Sequence, residues 1–346
     1  MAATIKDVAR LANCSIKTVS RVINHEPYVT DETRRRVLAA IAELDYAPNI
    51  SARRLVQRKS YVICILLHQA GFFQPEVLGK IMEISYEGNY DILLQTYFPS
   101  FSRSRNKLAQ IIAERRIDGL VTTPPCDADP FLNNLLEQSG IPRVHITPFN
   151  RTRGIPYVSG EDFMGAYQMT EHLIQLGHRK IAFLTGPRNH RTSIDRLYGF
   201  RAALEAAHLP INPPLELDSE YNFPGGYTAT KMLMALPERP TAIFAGSNEA
   251  AMGAIFALQE LKIGVPDQIS ICGFGDQATA KQIYPGLTAV YYPVEEIVEK
   301  AVLMLVDIVE GRQPENRQII LPTQLVIRGS TAAPLEALKS TDQQIK

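Results

Sequence analysis

The sequence has little that would indicate an exported, metal-binding or membrane-spanning protein. Its four cysteines lie far apart without a C-x-x-C pair, so neither a zinc site nor a disulfide framework is predicted, and no metal or other cofactor is expected. No run of about 18 apolar residues is present, and the amino-terminal stretch lacks the basic residues and apolar segment of a secretion signal. The sequence therefore predicts a cytoplasmic protein with reduced cysteines.

Net charge is also absent, but the zero total hides an asymmetry along the chain. Residues 1–59 carry 11 Lys+Arg and 6 Asp+Glu, so this part has a charge of +5 and the remainder of the chain −5. A basic head on an acidic body is typical of a phosphate-binding module joined to a separate domain, although a solvated charged surface is the alternative interpretation. The 346 residues, 45% of them hydrophobic, predict two or three globular domains.

Three short helical patterns open the chain. Thr4 and Thr30 stand where helix N-caps are expected, and Ser15 begins the second helix. The first two helices meet over Asn13, a residue type that tolerates the positive φ of a tight turn. The third helix is expected to bury Val37, Leu38, Ile41 and Leu44. The pattern predicts a trihelical unit within residues 1–48.

A trihelical unit of this kind places its second helix in the major groove of DNA. Arg21 is a candidate to hydrogen-bond guanine in bidentate fashion, Lys17 to reach guanine or phosphate, and Ile16 to contact a thymine methyl. The other candidate DNA contacts of this unit are Thr4, Ser15, Thr18, Ser20, Asn24 and Tyr28. The alternative interpretation is a small helical bundle with exposed basic residues.

Residues 49–59 form a segment too short to fold as a stable helix alone. We expect two copies, packed together on DNA, to order it and to insert Leu55 between base pairs of the minor groove. Candidate contacts in this hinge are Asn49, Ser51 and Ala52, with Arg53, Arg54, Arg58 and Lys59 placed near phosphates.

The stretches T-I-K-D-V-A-R-L-A-N-C-S-I-K-T-V-S-R-V-I-N and Y-A-P-N-I-S-A-R-R-L closely resemble the LacI/GalR family of bacterial transcription repressors, and the resemblance runs through essentially the full chain. It implies that Ile16, Lys17 and Arg21 read bases and that Leu55 is the leucine that kinks the operator. One departure is Asn13-Cys14, where the family usually has glycine and valine. We expect the turn to survive, because asparagine also adopts the left-handed conformation.

From residue 60 onward, short β-rich runs alternate with helical patterns, which is typical of parallel sheets. Seven strands are predicted, at residues 61–67, 90–96, 117–123, 143–147, 179–186, 241–247 and 268–275. The expected fold class is α/β: a small all-α helix-turn-helix head plus a two-lobed, periplasmic-binding-protein-like body of doubly wound parallel sheets. The expected lobes are an N-lobe of about residues 60–155 plus 289–320 and a C-lobe of about residues 156–288 plus 321–335.

Ligands bind such sheets beyond the carboxyl ends of the strands. The side chains at these positions include aromatic rings, arginine, amides and hydroxyls, which suit sugars or small polar rings. The candidates are Phe72, Phe73, Asn150, His190, Thr192, Arg196, Tyr221, Phe223, Ser247, Gly275 and Asp276. Phe72 and Phe73 have core packing as their alternative role, and Asp276 a helix cap. The resemblance implies that Arg196, in S-I-D-R-L-Y-G-F, binds ligand hydroxyls or a carboxylate.

A second departure concerns Gly275. Many relatives have G-[YF]-D-D where this chain has Gly273-Phe274-Gly275-Asp276, so an aspartate that commonly binds the ligand is absent. Losing one negative charge is expected to allow a bulkier or more acidic ligand near Arg196. A sugar or sugar derivative is the favoured ligand, with a nucleobase or another metabolite as the alternative.

The sequence shows no recognisable catalytic motif. G-F-G-D-Q lacks the form of a dinucleotide-binding turn, and neither a P-loop nor a G-x-S-x-G elbow occurs, so no enzymatic activity is predicted. A Rossmann-type enzyme and a periplasmic-type sugar-binding protein are the alternatives. Paired half-sites require a dimer, and the tail lacks the leucine heptads of a tetramer. The sequence thus predicts a homodimeric, ligand-responsive repressor of a carbohydrate utilisation operon that binds a palindromic operator.

Overall fold

The structure, a computed structural model, describes residues 3–23, 27–46, 59–68, 75–88, 90–151, 154–275 and 278–335. The chain divides into two compact units, Met1–Ser60 and Tyr61–Lys346. Within the described ranges no helix has the length and apolar character needed to cross a membrane.

The described residues of the first unit contain three helices, α1 (Ile5–Leu11), α2 (Ile16–Ile23) and α3 (Asp31–Glu43). The predicted caps are confirmed: Ser15 Oγ accepts from the Thr18 N–H at 3.1 Å and Thr30 Oγ1 from the Thr33 N–H at 3.3 Å. Asn13 has a φ of 48°, which confirms the left-handed turn between α1 and α2.

The three helices pack around a small apolar core. Its fully buried side chains are Val8, Val19, Val22 and Val37. The prediction that Leu38 is buried is wrong, because its side chain is 51% exposed. Val37 precedes it by 100° on the helix and takes the core position, so Leu38 is left on the edge of the apolar stripe.

In the second unit, the described residues form two six-stranded sheets. The first has the order β11-β5-β4-β3-β1-β2 with every pair parallel, and the second has the order β12-β10-β9-β8-β6-β7 with only β12 antiparallel. The strands of the first sheet are β1 (Val62–Leu67), β2 (Asp91–Thr96), β3 (Gly119–Thr122), β4 (Arg143–Ile146), β5 (Tyr157–Gly160) and β11 (Gln318–Leu321). Those of the second are β6 (Ile181–Thr185), β7 (Glu216–Asp218), β8 (Ala242–Ala245), β9 (Ser270–Gly275), β10 (Thr288–Tyr291) and β12 (Gln324–Val326).

Helices cover both faces of each sheet, which is why most strands are buried and apolar. The first sheet packs against α4 (Pro75–Glu87), α5 (Ser102–Ala113), α6 (Pro130–Ser139) and α12 (Val294–Val309). The second packs against α7 (Asp162–Gln175), α8 (Arg191–Ala206), α9 (Phe223–Met234) and α10 (Asn248–Glu260), and a short α11 (Ala278–Gln282) follows β9. The body is therefore two doubly wound lobes, as the sequence predicts.

The chain crosses between the lobes three times, at residues 161, 292–293 and 322–323. The predicted lobe boundaries are wrong by a few residues. β5 pairs with β4 in the first sheet, so its residues belong to the N-lobe and not to the predicted C-lobe, and β10 pairs with β9 in the second sheet, so it belongs to the C-lobe. Neither strand is among the seven that the sequence pattern predicts, although β3, β4 and β8, which it does predict, are equally short.

Candidate functional site

The candidate DNA-contacting face of the first unit is the outward side of α2. Ile16 is 45% exposed and Lys17 is exposed, while Thr18, Ser20 and Arg21 are half-buried. An exposed isoleucine beside a lysine at a helix start offers one apolar contact and one cation to a partner. Tyr28, on the loop before α3, is almost fully exposed.

Two of the predicted contacts have their hydroxyls engaged in helix caps. Ser15 Oγ lies 2.9 Å from Thr18 Oγ1 in addition to accepting the Thr18 N–H. The N–H and hydroxyl of Thr4 both donate to the Asp7 carboxylate, at 3.0 and 2.6 Å, and these bonds lower the pKa of Asp7. Ser15 and Thr4 thus hold the starts of α2 and α1 in place. Asn24, Asn49, Ser51, Ala52, Leu55, Arg53, Arg54 and Arg58 lie outside the described residues.

In the body, the carboxyl ends of β6, β7, β8 and β9 bring several predicted ligand contacts together. Arg196 lies near the start of α8, and its side chain is only 9% exposed. Its Nη1 donates to the Gly246 carbonyl at 2.6 Å, just beyond β8, and its Nε donates to Asp162 Oδ1 at 2.8 Å. The guanidinium is therefore held between two elements of the C-lobe.

Three aromatic rings surround the same guanidinium. Its Cζ lies 3.6 Å from the ring centroid of Phe274, 5.3 Å from that of Tyr221 and 5.4 Å from that of Tyr292. Each ring presents a π face or edge within the range of cation–π attraction. Burial lowers the pKa of Arg196, but the carboxylate of Asp162 together with Tyr221 and Tyr292 acts more strongly in the other direction, so the pKa lies above its usual value.

Tyr221 forms the floor of this site because two glycines leave room for its ring. A Cβ at Gly186 would lie 2.3 Å from Tyr221 Cζ, and one at Gly246 would lie 2.5 Å from Cε1. Ser247 caps α10 by accepting the Ala250 N–H, and its hydroxyl donates to the Tyr221 carbonyl at 3.1 Å. Burial raises the pKa of Tyr221, while the charge of Arg196 acts in the opposite direction.

Two buried hydroxyls at this site, Tyr221 Oη and Ser193 Oγ, make no hydrogen bond of normal geometry within the part of the chain that the structure describes. They lie close enough to each other, and Tyr221 to Arg196, for these neighbours to oppose the rise in the pKa of Tyr221. Buried polar atoms are nearly always satisfied, so such atoms beside a buried arginine at the carboxyl ends of the strands are suited to receive a polar ligand.

Other predicted contacts lie around this centre. His190 is the N-cap residue of α8, and burial, together with the charges of His68 and Arg196, lowers its pKa to about 4. Thr192 is half-buried in the first turn of α8, and Asn150 is exposed, with its backbone N–H donating to Asp127 Oδ2 at 3.3 Å.

Gly275 has a φ of 133°, a conformation that favours glycine, so an aspartate here would be strained. Phe223 does not join the group, because its ring packs against Phe256 at 5.7 Å and is 39% exposed. Phe72, Phe73 and Asp276 lie outside the described residues.

Sequence reasoning missed several residues of this site. Asp162 directly follows the crossover after β5, and Tyr292 lies in the crossover after β10; neither strand is among those that the sequence pattern predicts. Asp195, on α8, accepts from Arg151 Nη2 at 3.0 Å and from Arg191 Nε at 2.8 Å, which joins the loop after β4 to the C-lobe. Asp195 lies in the S-I-D-R-L-Y-G-F stretch beside Arg196, and Phe274 in G-F-G-D, so these two motifs were the available signals. Among the described residues no group of three or more acidic, histidine or cysteine side chains is arranged to hold a metal ion.

Comparison with known proteins gives matches to both units. Residues 4–49 match the model for bacterial regulatory proteins of the lacI family, and residues 170–331 match that for a periplasmic binding protein-like domain. The HTH-type transcriptional repressor PurR of Escherichia coli O139:H28 (strain E24377A / ETEC) is 32% identical over 334 residues, which cover 95% of this chain and 97% of that protein.

Solved structures resemble the chain over nearly its full length. A complex of the transcriptional regulator CelR with cellobiose is 28% identical, with a TM-score of 0.71, and the match covers 95% of this chain and 99% of that one. The lac repressor dimer bound to operator and the anti-inducer ONPF is 25% identical, with a TM-score of 0.78, and the match covers 96% and 100%.

Proposed function

Because this chain belongs to the lacI family of bacterial regulatory proteins, and is a ligand-responsive, DNA-binding transcription regulator, we propose that it is a dimeric repressor whose cleft at Arg196 binds a sugar or sugar derivative. The observation that carries the cleft assignment is the buried Arg196 beside the unpartnered hydroxyls of Tyr221 and Ser193. Cellobiose in the CelR complex supports a sugar-class ligand and, with it, control of a carbohydrate utilisation operon.

For DNA, we propose that α2 reads the major groove through Ile16, Lys17 and Arg21. The exposure of Ile16 and Lys17 supports this role, since neither side chain is needed for the core of the unit. Thr18, Ser20 and Tyr28 are proposed to contact the backbone of a palindromic operator, and Leu55 to enter its minor groove. The lac repressor dimer on its operator supports two copies per site.

For the ligand, we propose contacts from Arg196, Tyr221, Ser193 and His190, with Thr192, Ser247, Gly275 and Asn150 around them and Phe73 from the N-lobe. A ligand that contacts both lobes changes their relative placement, and this is the means by which it alters DNA affinity. The relatives are transcription regulators, which supports the absence of enzymatic activity, and a DNA-binding role supports action in the cytoplasm.

The experiment has two stages. DNA fragments that bind the purified full chain are first selected from a randomised duplex library, and thermal stabilisation is measured against neutral sugars, sugar acids, sugar phosphates and nucleobases. DNA affinity is then measured with and without each stabilising compound. We expect a palindromic selected site and a sugar that changes its affinity by about 5- to 150-fold. Failure to select any site would refute the DNA-binding role. A nucleobase as the sole effective compound would refute the ligand class.

Arg196→Met and Lys17→Ala serve as complementary variants in this experiment. The first is expected to lose the response to the compound while DNA binding persists, and the second to lose DNA affinity while the compound still binds. If Arg196→Met responded to the compound as the wild type does, the ligand site would lie elsewhere.

A further inference from the structure

The charge of Arg196 is already balanced by a second residue of the C-lobe. Asp162 is the first residue of α7, and its side chain is 1% exposed. Its Oδ1 accepts from Arg196 Nε at 2.8 Å, and its Oδ2 lies 3.4 Å from the hydroxyl of Tyr292. A buried guanidinium without a counter-charge would be strongly unfavourable, so Asp162 carries the compensation before any ligand arrives.

The rest of the environment of Arg196 adds partial negative charge. The Gly246 carbonyl accepts from Nη1, and the face of the Phe274 ring lies 3.6 Å from Cζ. The guanidinium has five N–H donors, of which two are used by Asp162 and Gly246. N–H donors of Arg196 therefore remain for a ligand. Its positive charge, by contrast, is already compensated by Asp162.

Two neighbouring arginines have one carboxylate between them and so keep one net positive charge, whereas the Arg196–Asp162 pair is neutral. Arg151 and Arg191 share the carboxylate of Asp195, at 3.0 and 2.8 Å. An anion that approached Arg196 would meet the negative charge of Asp162 at the same place, and repulsion between the two would oppose binding.

We propose that Asp162 determines the charge class of the effector, so that the cleft selects an uncharged, hydroxyl-rich molecule over its carboxylate or phosphate derivative. This inference rests on the proposed function of the cleft. It revises the expectation that the glycine at residue 275 admits a more acidic ligand, because the negative charge beside Arg196 comes from α7. Alcohol groups both donate and accept, which matches the free N–H donors of Arg196 and the hydroxyls of Tyr221 and Ser193.

The first test uses inorganic phosphate as the probe and the melting temperature as the readout, at constant ionic strength maintained with sodium chloride. Asp162→Asn keeps an oxygen that can accept from Arg196 Nε but removes the charge. We expect no saturable stabilisation of the wild type, a saturable rise in the melting temperature of Asp162→Asn, and loss of that rise in the double variant Asp162→Asn/Arg196→Met.

The second test compares neutral and acidic members of matched sugar pairs on the wild type by calorimetry: cellobiose with cellobionate, and glucose with glucuronate. In any pair that binds, we expect the neutral member to bind at least about tenfold more tightly, and Asp162→Asn to narrow or reverse that ratio. Tighter binding of the acidic member to the wild type would overturn the proposal. So would wild-type binding of phosphate that the double variant loses, or a folded Asp162→Asn without any gain in phosphate binding.

The proposal is still tested if the variant does not fold or if no sugar binds. If Asp162→Asn does not fold, the wild-type titrations alone decide, because anion binding contradicts the proposal and its absence supports it. If no sugar binds and DNA affinity never responds to one, the proposed function fails, while the phosphate titration of Asp162→Asn still tests the role of Asp162.

Discussion

The hydroxyl of Tyr292 accepts a hydrogen bond from the backbone N–H of Gly160 at 3.2 Å, and its ring occupies the space beside the Gly160 Cα. Gly160 ends the strand before the first crossover, and Tyr292 lies in the second. The contact therefore joins two of the three connections between the lobes, and the same ring lies beside Arg196. The ligand site and the connections between the lobes thus share a side chain.

Gly160→Ala is expected to lower the free energy of unfolding by about 1–3 kcal/mol, because the new Cβ would lie 2.3 Å from Cε2 of the Tyr292 ring. Urea denaturation measures the change. Gly79→Ala in α4 is the matched control, since a Cβ there meets nothing within 4 Å. The control is expected to raise stability by up to about 1 kcal/mol. Equal stabilities of the two variants would contradict this account of the crossover contact.

Removal of the unpartnered hydroxyl in Tyr221→Phe is expected to leave the free energy of unfolding unchanged or to raise it by up to about 1 kcal/mol, because burying a hydroxyl without a partner is unfavourable. The same variant is expected to weaken ligand binding. Denaturation and calorimetry on the same preparation separate the two effects. Tyr221→Ala, which empties the space over Gly186 and Gly246, is expected to be destabilised by about 3–5 kcal/mol. A clear loss of stability in Tyr221→Phe would show that the hydroxyl has a partner in the folded protein.

Stability is expected to fall as the pH falls from about 6.5 towards 4, in part because of His178. Burial lowers its pKa from 6.5 to about 4, and its ring bonds Thr241 Oγ1 at 2.9 Å and the Ala332 carbonyl at 2.9 Å. Above pH 6.5 the ring is neutral in both states, so the full stability is present. Below it the unfolded chain takes up a proton that the folded chain excludes, and the difference grows until the folded pKa is reached.

His178→Gln is expected to reduce the slope of unfolding free energy against pH between 6.5 and 4. His208→Gln, at an exposed position, provides the matched substitution control. Identical slopes for the wild type and His178→Gln would mean that His178 is not the source of the pH dependence.

In the first unit, Lys17→Ala and Ser15→Ala are expected to separate DNA contact from helix stability. Lys17 is exposed, so its loss should leave thermal stability unchanged while DNA affinity and its salt dependence fall, the slope of log affinity against log salt by about 1. Ser15→Ala removes the cap of α2 and should cost about 1 kcal/mol of stability. An unchanged salt slope in Lys17→Ala would exclude a phosphate contact by this side chain.

Local patterns made some parts of the structure predictable. Caps, left-handed turns and apolar spacing depend on neighbours in the chain, so Ser15, Thr30 and Asn13 could be assigned without tertiary information. The long strands β1 and β9 could be recognised for the same reason, because each is an apolar run. β5 and β10 form no such run and were not predicted; their place in the sheets comes from pairing with β4 and β9.

The candidate ligand site was predictable only in part. The carboxyl ends of strands indicated Arg196, Tyr221 and Ser247, but no local feature distinguished Tyr221 from Phe223. Packing made the difference, because Gly186 and Gly246 accommodate the ring of Tyr221 while Phe223 packs on Phe256.

The sequence by itself determined the trihelical head, the two α/β lobes and the region in which a ligand would bind, because these follow from short-range periodicity and from the rule that parallel strands present their carboxyl ends together. Only the tertiary structure decided which carboxylate forms an ion pair with Arg196. Asp162 and Arg196 are 34 residues apart and on different helices. Their contact arises from the packing of α7 against α8, and burial makes that pairing energetically necessary.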